Sequence, residues 1–534
     1  MKASENFFKD NPNLPKILLG FVIIVSLATR LFWLYLPFGV YKYLVPPGDD
    51  AVSHYNIIHQ ILQGHHSSAY PTLFHRLTII FSQIFNVDVM TALRLVTPAL
   101  VVLPAIAVYF FAKKHFGLIP ALFCALLLLW TGNYPLTSFA DGNYPNILAS
   151  GFFLPLALME LVTALRRNSL PAYLTALALA LLVVITHHLS IALMLLIIIP
   201  YLLILAVWNR FERLVLRLKI ALLICFLSLG MIAGLIWLLP TRTMFEESWK
   251  LFTTTGSFYS EGGISILADY VEYPAQIGGL LFYGGLLGAF VLILLLGRSK
   301  ESVNKPAILL ILTWLTVTFI ASRLSSLGLP GRFLREMGIP LALSLGLACY
   351  YLLFSMRSKV QIFLGTALFA LVIYTNLVQV TSGAYRSPNF FNAAVWFTQE
   401  DKEKADVIKG LTAPGDIIIA NPVTPYLPIF IEREIDFDAW RSISVESLAL
   451  GLRFDNQADA AAWWSETAEK QLEEVAGTRG AKYVFVGTKT KAGPSGKAYP
   501  FFAHFDEATK DLSLATQGKK PLYKFRDGSA LYKI

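Results

Sequence analysis

Long apolar runs separated by short polar connections fill the chain up to about residue 380. Runs at roughly 17–36, 91–112, 117–132, 144–164, 171–187, 189–207, 220–240, 276–297, 306–322, 333–355 and 360–380 predict about eleven membrane-spanning helices. Every second connection is basic. These carry Lys2, Lys9 and Lys16; Lys113 and Lys114; Arg166 and Arg167; Arg210, Arg213, Arg217 and Lys219; Arg298, Lys300 and Lys305; and Arg357 and Lys359. Basic residues gather on the cytoplasmic side of a membrane, so the N-terminus is expected inside. An odd number of spans then puts the chain beyond about residue 383 outside.

The pattern breaks at residues 37–90, the first outer connection. Val45-Pro46-Pro47-Gly48 is followed by Asp49, Asp50 and His54. Residues 50–63 have helical spacing, with an apolar stripe of Ala51, Tyr55, Ile58 and Leu62 and a stop at Gly64. One turn separates Asp50 from His54, so both can share a face. Residues 65–90, aromatic and half-polar with Arg76, predict interfacial helices rather than a span. The connection at 241–275 is long and bears glycines, the character of a loop that covers a site.

Beyond residue 383 the periodicity changes again. Asp416–Ala420 and Lys482–Val486 predict buried strands, 391–411 and 461–476 helices, and Leu522–Tyr532 a hairpin turning at Asp527-Gly528. This alternation predicts a small α/β domain. The expected organisation is a transmembrane domain at 1–382, including the outer loop 37–90, and an extracytosolic α/β domain at 383–534. Gly493-Pro494-Ser495-Gly496-Lys497 lacks the spacing of a phosphate loop and is expected to be a solvated loop.

Composition agrees with this picture. Of 534 residues, 55% are hydrophobic and 15% charged, and the mean hydropathy is +0.58, too apolar for a soluble fold. The net charge of +9 arises mostly in the basic connections, so it indicates topology rather than nucleic-acid binding. Cys124, Cys225 and Cys349 all lie in apolar runs, which argues against a disulfide framework or a thiolate metal site.

Candidate chemistry concentrates at the expected outer ends of the spans. Asp49 and Asp50 stand beside the first span, and Arg30 lies within its outer half, where an arginine is costly. The second outer loop holds Asp141, Asn143 and Tyr144. Asp49 and Asp141 could together hold a divalent cation such as Mg or Mn through oxygen ligands, or bind a sugar. Asp-Gly-Asn is equally turn chemistry. His187 and His188 could donate to a phosphate or relay a proton. Arg323, Arg332 and Arg335 sit where the basic-inside bias does not require them, and guanidinium forks suit phosphate oxygens.

These residues together resemble the GT-C superfamily of polyprenyl-phosphate-dependent membrane glycosyltransferases. The resemblance rests on Arg30 late in the first span and on Asp49-Asp50 followed by an amphipathic helix. Arg332-Phe333-Leu334-Arg335 opening a late span, and the α/β tail, add to it. It implies transfer of a sugar from a polyprenyl phosphate or diphosphate to a glycan, lipid or protein acceptor, outside the cytoplasmic membrane. It also implies that the first-loop carboxylate is the catalytic base. The Trp-Trp-Asp-Tyr-Gly motif of the asparagine-glycosylating members is missing. Ala394-Val395-Trp396-Phe397 occupies its place, and Trp463-Trp464-Ser465-Glu466 lies too far along. Asparagine glycosylation is therefore disfavoured, and the single Asp141 leaves a metal requirement open. The rival reading is a transporter or flippase of a lipid-linked or anionic solute, with an inactive scaffold as a third. Against transport, polar groups cluster at span ends and no inverted repeat is evident.

Overall fold

A computed structural model describes residues 14–39, 43–48, 50–64, 71–131, 133–208, 272–297, 304–324, 330–355, 374, 397–421, 426–437, 439, 457–488, 490–491, 498–499 and 505–534. The expected spans at 220–240 and, but for Tyr374, 360–380 lie outside these residues, as do Asp49, most of the 241–275 connection and the Gly493–Lys497 loop. The chain forms two compact units: residues 1–36 with 53–384, and residues 37–52 with 385–534.

The first unit is helical. Helix Leu14–Gly39 covers the first apolar run. Five described helices are long and apolar enough to cross a membrane: Val89–Phe116, Tyr144–Arg167, His188–Val207, Gly279–Gly297 and Gly331–Leu353. Four shorter apolar helices accompany them: Leu73–Phe85, Leu118–Trp130, Leu170–Thr186 and Lys305–Ala321. The helix Leu73–Phe85 exposes Leu77, Ile80, Ile84 and Phe85 and buries His75 and Thr78 beside Phe74 and Ile79, so its apolar outer surface suits a membrane interface.

Small residues let the helices approach closely. A methyl group on Gly288 would lie 2.5 Å from the Ser344 carbonyl oxygen, and one on Gly346 would lie 2.6 Å from Cys124 Cα. Helix Gly279–Gly297 therefore packs backbone to backbone on Gly338–Ser355, which packs in the same way on Leu118–Thr131. Within Tyr144–Arg167 the turn Ile147–Phe153 is π-helical. Pro155 explains it: its ring crowds the carbonyl one turn earlier and it has no N–H to give, so a wider turn relieves the clash.

The second unit is an α/β domain with a five-stranded sheet. Its strands are β1 Ile417–Ala420, β2 Glu434–Asp436, β3 Ala481–Val486, β6 Tyr523–Lys524 and β7 Ala530–Lys533, in the order β2-β1-β3-β7-β6. A separate short ribbon pairs β4 Thr490–Lys491 with β5 Ala498–Tyr499. β1 runs parallel to β2 and β3, whereas β7 is antiparallel to β3 and β6. Helices Gln457–Arg479 and Phe505–Ala515 cover the sheet, burying Leu472, Leu512, Ile419 and Val484 in one core. The hairpin turns where expected: Gly528 takes φ +92°, which suits glycine, and Asp527 accepts hydrogen bonds from Lys404, Thr488 and Ser529.

A piece of the first outer loop belongs to this domain. The Leu44 N–H donates to the Phe397 carbonyl at 2.9 Å. The buried Tyr426 hydroxyl reaches the carbonyls of Pro46 and Gly48 at 2.6 and 3.2 Å. Phe397 stacks on Phe430, with ring centroids 4.3 Å apart.

Candidate functional site

The site in the helical unit is built on the turn 141–146. Gly142 at φ +81° reverses the chain after the short helix Leu136–Ala140, and Tyr144 N–H donates back to the Gly142 carbonyl at 2.8 Å. Asn143 and Tyr144 are both buried. The turn thus presents the Asp141 carboxylate at its edge.

Asp141 accepts a charge-assisted hydrogen bond from Arg335 Nη1, and Arg335 Nε donates to Gln276 Oε1 at 3.1 Å. One planar guanidinium thereby joins residues far apart in the chain, its Nε and Nη1 donors held in a fixed fork. The pair is partly open to solvent, with side-chain exposures of 19% and 26%.

Behind the turn lies an imidazole pair. His54 Nε2 is 3.1 Å from the Gly142 carbonyl, and His54 Nδ1 is 3.1 Å from His75 Nε2. A carbonyl only accepts, so His54 carries its proton on Nε2 and accepts from His75 at Nδ1. The buried His54 packs its ring against Tyr144 and Phe74. Burial pushes its pKa down to about 4; the Gly142 bond opposes this shift and the Arg332 charge adds to it. His54 therefore stays neutral and acts on the site by holding the turn. The apolar stripe expected on its helix, which runs Asp50–Leu62, is shifted accordingly. Ala51, His54 and Ile58 are buried while Leu62 is 49% exposed, because the imidazole has partners waiting inside.

The other face of the turn leads into a second network. Glu336, 3% exposed, accepts from Asn146 Nδ2 at 2.6 Å and from the Tyr134 hydroxyl at 3.3 Å. Asn146 Oδ1 accepts from Ser190, which in turn lies 3.1 Å from His187 Nδ1. His187 stacks on His188 at 4.9 Å between centroids.

Of the candidates named from sequence, His54, Asp141, Asn143, Tyr144 and Arg335 form one connected group. Arg332 lies near enough for its charge to bear on His54. His187 joins through Ser190 and Asn146, and His188 stacks beside it. Arg30 is 3% exposed within its helix, so protein rather than the lipid interface surrounds it. Arg323 follows the helix Lys305–Ala321 and is half-buried. Asp50 opens its helix, half-buried, and belongs to the second unit; Asp49 is outside the described residues. Sequence reasoning missed His75, Tyr134, Asn146, Ser190, Gln276 and Glu336. For Glu336 a signal existed, a carboxylate opening an apolar run; for the others only the fold reveals the partners.

Among the described residues, no three His, Cys, Asp or Glu side chains converge as metal ligands, and Asp141 is engaged by Arg335. That donor set does not by itself form a divalent-cation site, and no step below passes through a metal.

The architecture has a GT-C-like fold. Among solved structures, ArnT from Cupriavidus metallidurans bound to undecaprenyl phosphate superposes with a TM-score of 0.53 at 14% identity, over 98% of each chain. The Archaeoglobus fulgidus oligosaccharyltransferase tethered to an acceptor peptide gives a TM-score of 0.55 at 15% identity, over 95% of this chain and 73% of that one. Its apo form gives 0.54 at 13% identity, over 87% and 69%. No family model matches the sequence, and no curated protein matches it.

Proposed function

We propose that the protein is a membrane glycosyltransferase that moves a sugar from a polyprenyl-phosphate-linked donor to an acceptor hydroxyl on the outer side of the membrane. The observation that carries this reading is the fold shared along nearly the whole length of a chain solved with undecaprenyl phosphate. The oligosaccharyltransferase of the same fold, solved with an acceptor peptide, supports an acceptor that is a separate molecule. The zinc and sulfate in another structure of that oligosaccharyltransferase belong to that protein and assign no metal to this one.

In the proposed reaction the acceptor oxygen attacks the anomeric carbon as the bond from that carbon to the phosphate oxygen breaks. The phosphate leaves with the electron pair, and its charge is received by Arg332 and Arg335. The acceptor's proton passes to a first-loop carboxylate, for which Asp50 is the first choice and Asp49 the second. A lipid phosphate is already a good leaving group, so one base and one cationic clamp suffice. Two such close carboxylates titrate as a pair.

Asp50→Asn keeps size and hydrogen bonding but removes proton acceptance. Sugar transfer should fall roughly 100- to 10,000-fold with donor-lipid binding nearly intact. Asp49→Asn, at the cap position, should by contrast lose little, because Asn caps about as well. If Asp50→Asn and Asp49→Asn both transfer sugar at the wild-type rate, neither first-loop carboxylate is the base. A wild-type protein that moves the lipid-linked solute across the membrane without transferring sugar would sink the transferase reading in favour of the transporter. The reading also requires the chain beyond residue 383 to face outward. A Ser387→Cys variant should react with an impermeant thiol reagent in intact cells, and labelling only after lysis would reverse the topology.

A further inference from the structure

The proposed reaction makes no use of Glu336, although burying a carboxylate at the mouth of an apolar helix is costly. Its two oxygens are held by Asn146 and Tyr134. With Glu336 ionised, the bond from Asn146 Nδ2 to Glu336 Oε1, at 2.6 Å, sets which way the amide faces. A carboxylate oxygen accepts, so the NH2 group points to Glu336 and Oδ1 points to the serines. Ser190 Oγ donates to that Oδ1 at 3.0 Å, while Ser150, on the π-helical turn, donates to the Asn146 backbone carbonyl at 2.8 Å and lies 3.2 Å from Oδ1. A hydroxyl has one proton. Ser190 spends its proton on Asn146, so toward His187 Nδ1, 3.1 Å away, it offers only a lone pair. The hydrogen in that contact must come from His187.

We propose that Glu336 is a positioning residue that, through Asn146 and Ser190, fixes His187 as the Nδ1–H tautomer, making Nε2 of the neutral ring an acceptor. Such a ring takes a hydrogen bond at Nε2 from a hydroxyl or a guanidinium. It does not donate from that nitrogen to a phosphate oxygen. Of the two roles open to the histidine pair, this assigns His187 to the acceptor-hydroxyl and arginine side. That assignment of role rests on the proposed reaction; the tautomer itself does not.

The test uses the full chain with 15N-labelled histidine in lipid nanodiscs, where ring-nitrogen shifts and N–H couplings distinguish the tautomers. The chain has nine histidines, so the His187 signal is identified by its loss in His187→Gln. Wild type should show the proton on Nδ1 and a bare Nε2. Ser190→Ala breaks the relay and should shift His187 toward the Nε2–H form. Glu336→Gln should do likewise, because a glutamine amide can donate and lets Asn146 turn over. A wild-type ring protonated on Nε2, or on both nitrogens, overturns the proposal. So does a His187 signal unchanged in either variant. If Glu336→Gln fails to fold, Glu336→Asp, whose shorter carboxylate draws back from Asn146 Nδ2, takes its place and should shift the His187 signal in the same direction. The measurement needs no turnover, so failure of the proposed reaction and failure of the relay are distinguishable.

Discussion

Neutralising Asp141 should strengthen binding of the lipid phosphate. Arg335 divides its fork between Asp141 and Gln276 in the ligand-free protein. A phosphate using the same guanidinium would sit roughly 5–6 Å from the Asp141 carboxylate, and at an effective dielectric of about 40 the repulsion is about 1.5 kcal/mol. The pair is partly exposed, and screening at physiological ionic strength removes about half of that over such a distance. About 0.7 kcal/mol remains, a factor of roughly three in affinity. Asp141→Asn should therefore tighten binding of a polyprenyl phosphate about threefold, and the gain should shrink as salt rises. Arg335→Ala should weaken binding by about 1.5–3 kcal/mol, the loss of a charge-assisted hydrogen bond. Titration of the lipid phosphate into detergent-solubilised protein at fixed ionic strength, with and without a chelator, reads both. Weaker binding by Asp141→Asn would refute the competition and make Asp141 a direct or cation-bridged ligand. Unchanged affinity in Arg335→Ala would remove Arg335 from the clamp.

Two further outcomes follow from packing and burial. Gly288→Ala places a methyl group 2.5 Å from a backbone oxygen and should destabilise by about 1–3 kcal/mol. Gly284→Ala, which meets only the ends of Leu345 from 3.1 Å, should cost clearly less; equal losses in detergent melting curves would contradict the close approach of the two helices. His54 has its pKa lowered from 6.5 to about 4 in the folded chain, so below 6.5 the unfolded chain binds a proton that the fold refuses. The stability it contributes is full above pH 6.5 and declines as pH falls toward about 4. Melting temperatures across that window should lose part of their pH slope in His54→Gln, and an unchanged slope would assign the effect to other groups.

Much of this architecture is legible in the sequence because it is written locally. Gly64 ends the helix Asp50–Leu62 at φ +77°, and Asp527-Gly528 turns the last hairpin. The apolar runs that fall within the described residues are helical because a lipid-exposed backbone must satisfy its own hydrogen bonds. The site is only half legible. A residue type suggests that Asp141 or Arg335 does something, but the partner is set by three-dimensional packing across a separation of 194 residues. His54 shows the limit best. Its place among apolar neighbours reads as the polar side of an amphipathic helix, and its partners His75 and Gly142, 21 and 88 residues away, give it reason to turn inward. Asn146 and Ser190 carry no charge and no motif, so nothing in composition could have singled them out.

The Tyr426 bonds to Pro46 and Gly48 span 380 and 378 residues of chain. The loop segment is synthesised long before its partner exists. During that interval its carbonyls must be left to water, and contacts of such high sequence separation form late because loop closure precedes them. The α/β domain cannot finish assembling until strand β7, Ala530–Lys533, has been made. A chain cut short after the last span would retain its helices but leave the backbone leading into Asp50 without these anchors. An excised tail beginning at residue 385 would lack residues 37–52 of its own unit. Premature termination would thus act at a distance, loosening a carboxylate encoded near the start of the gene.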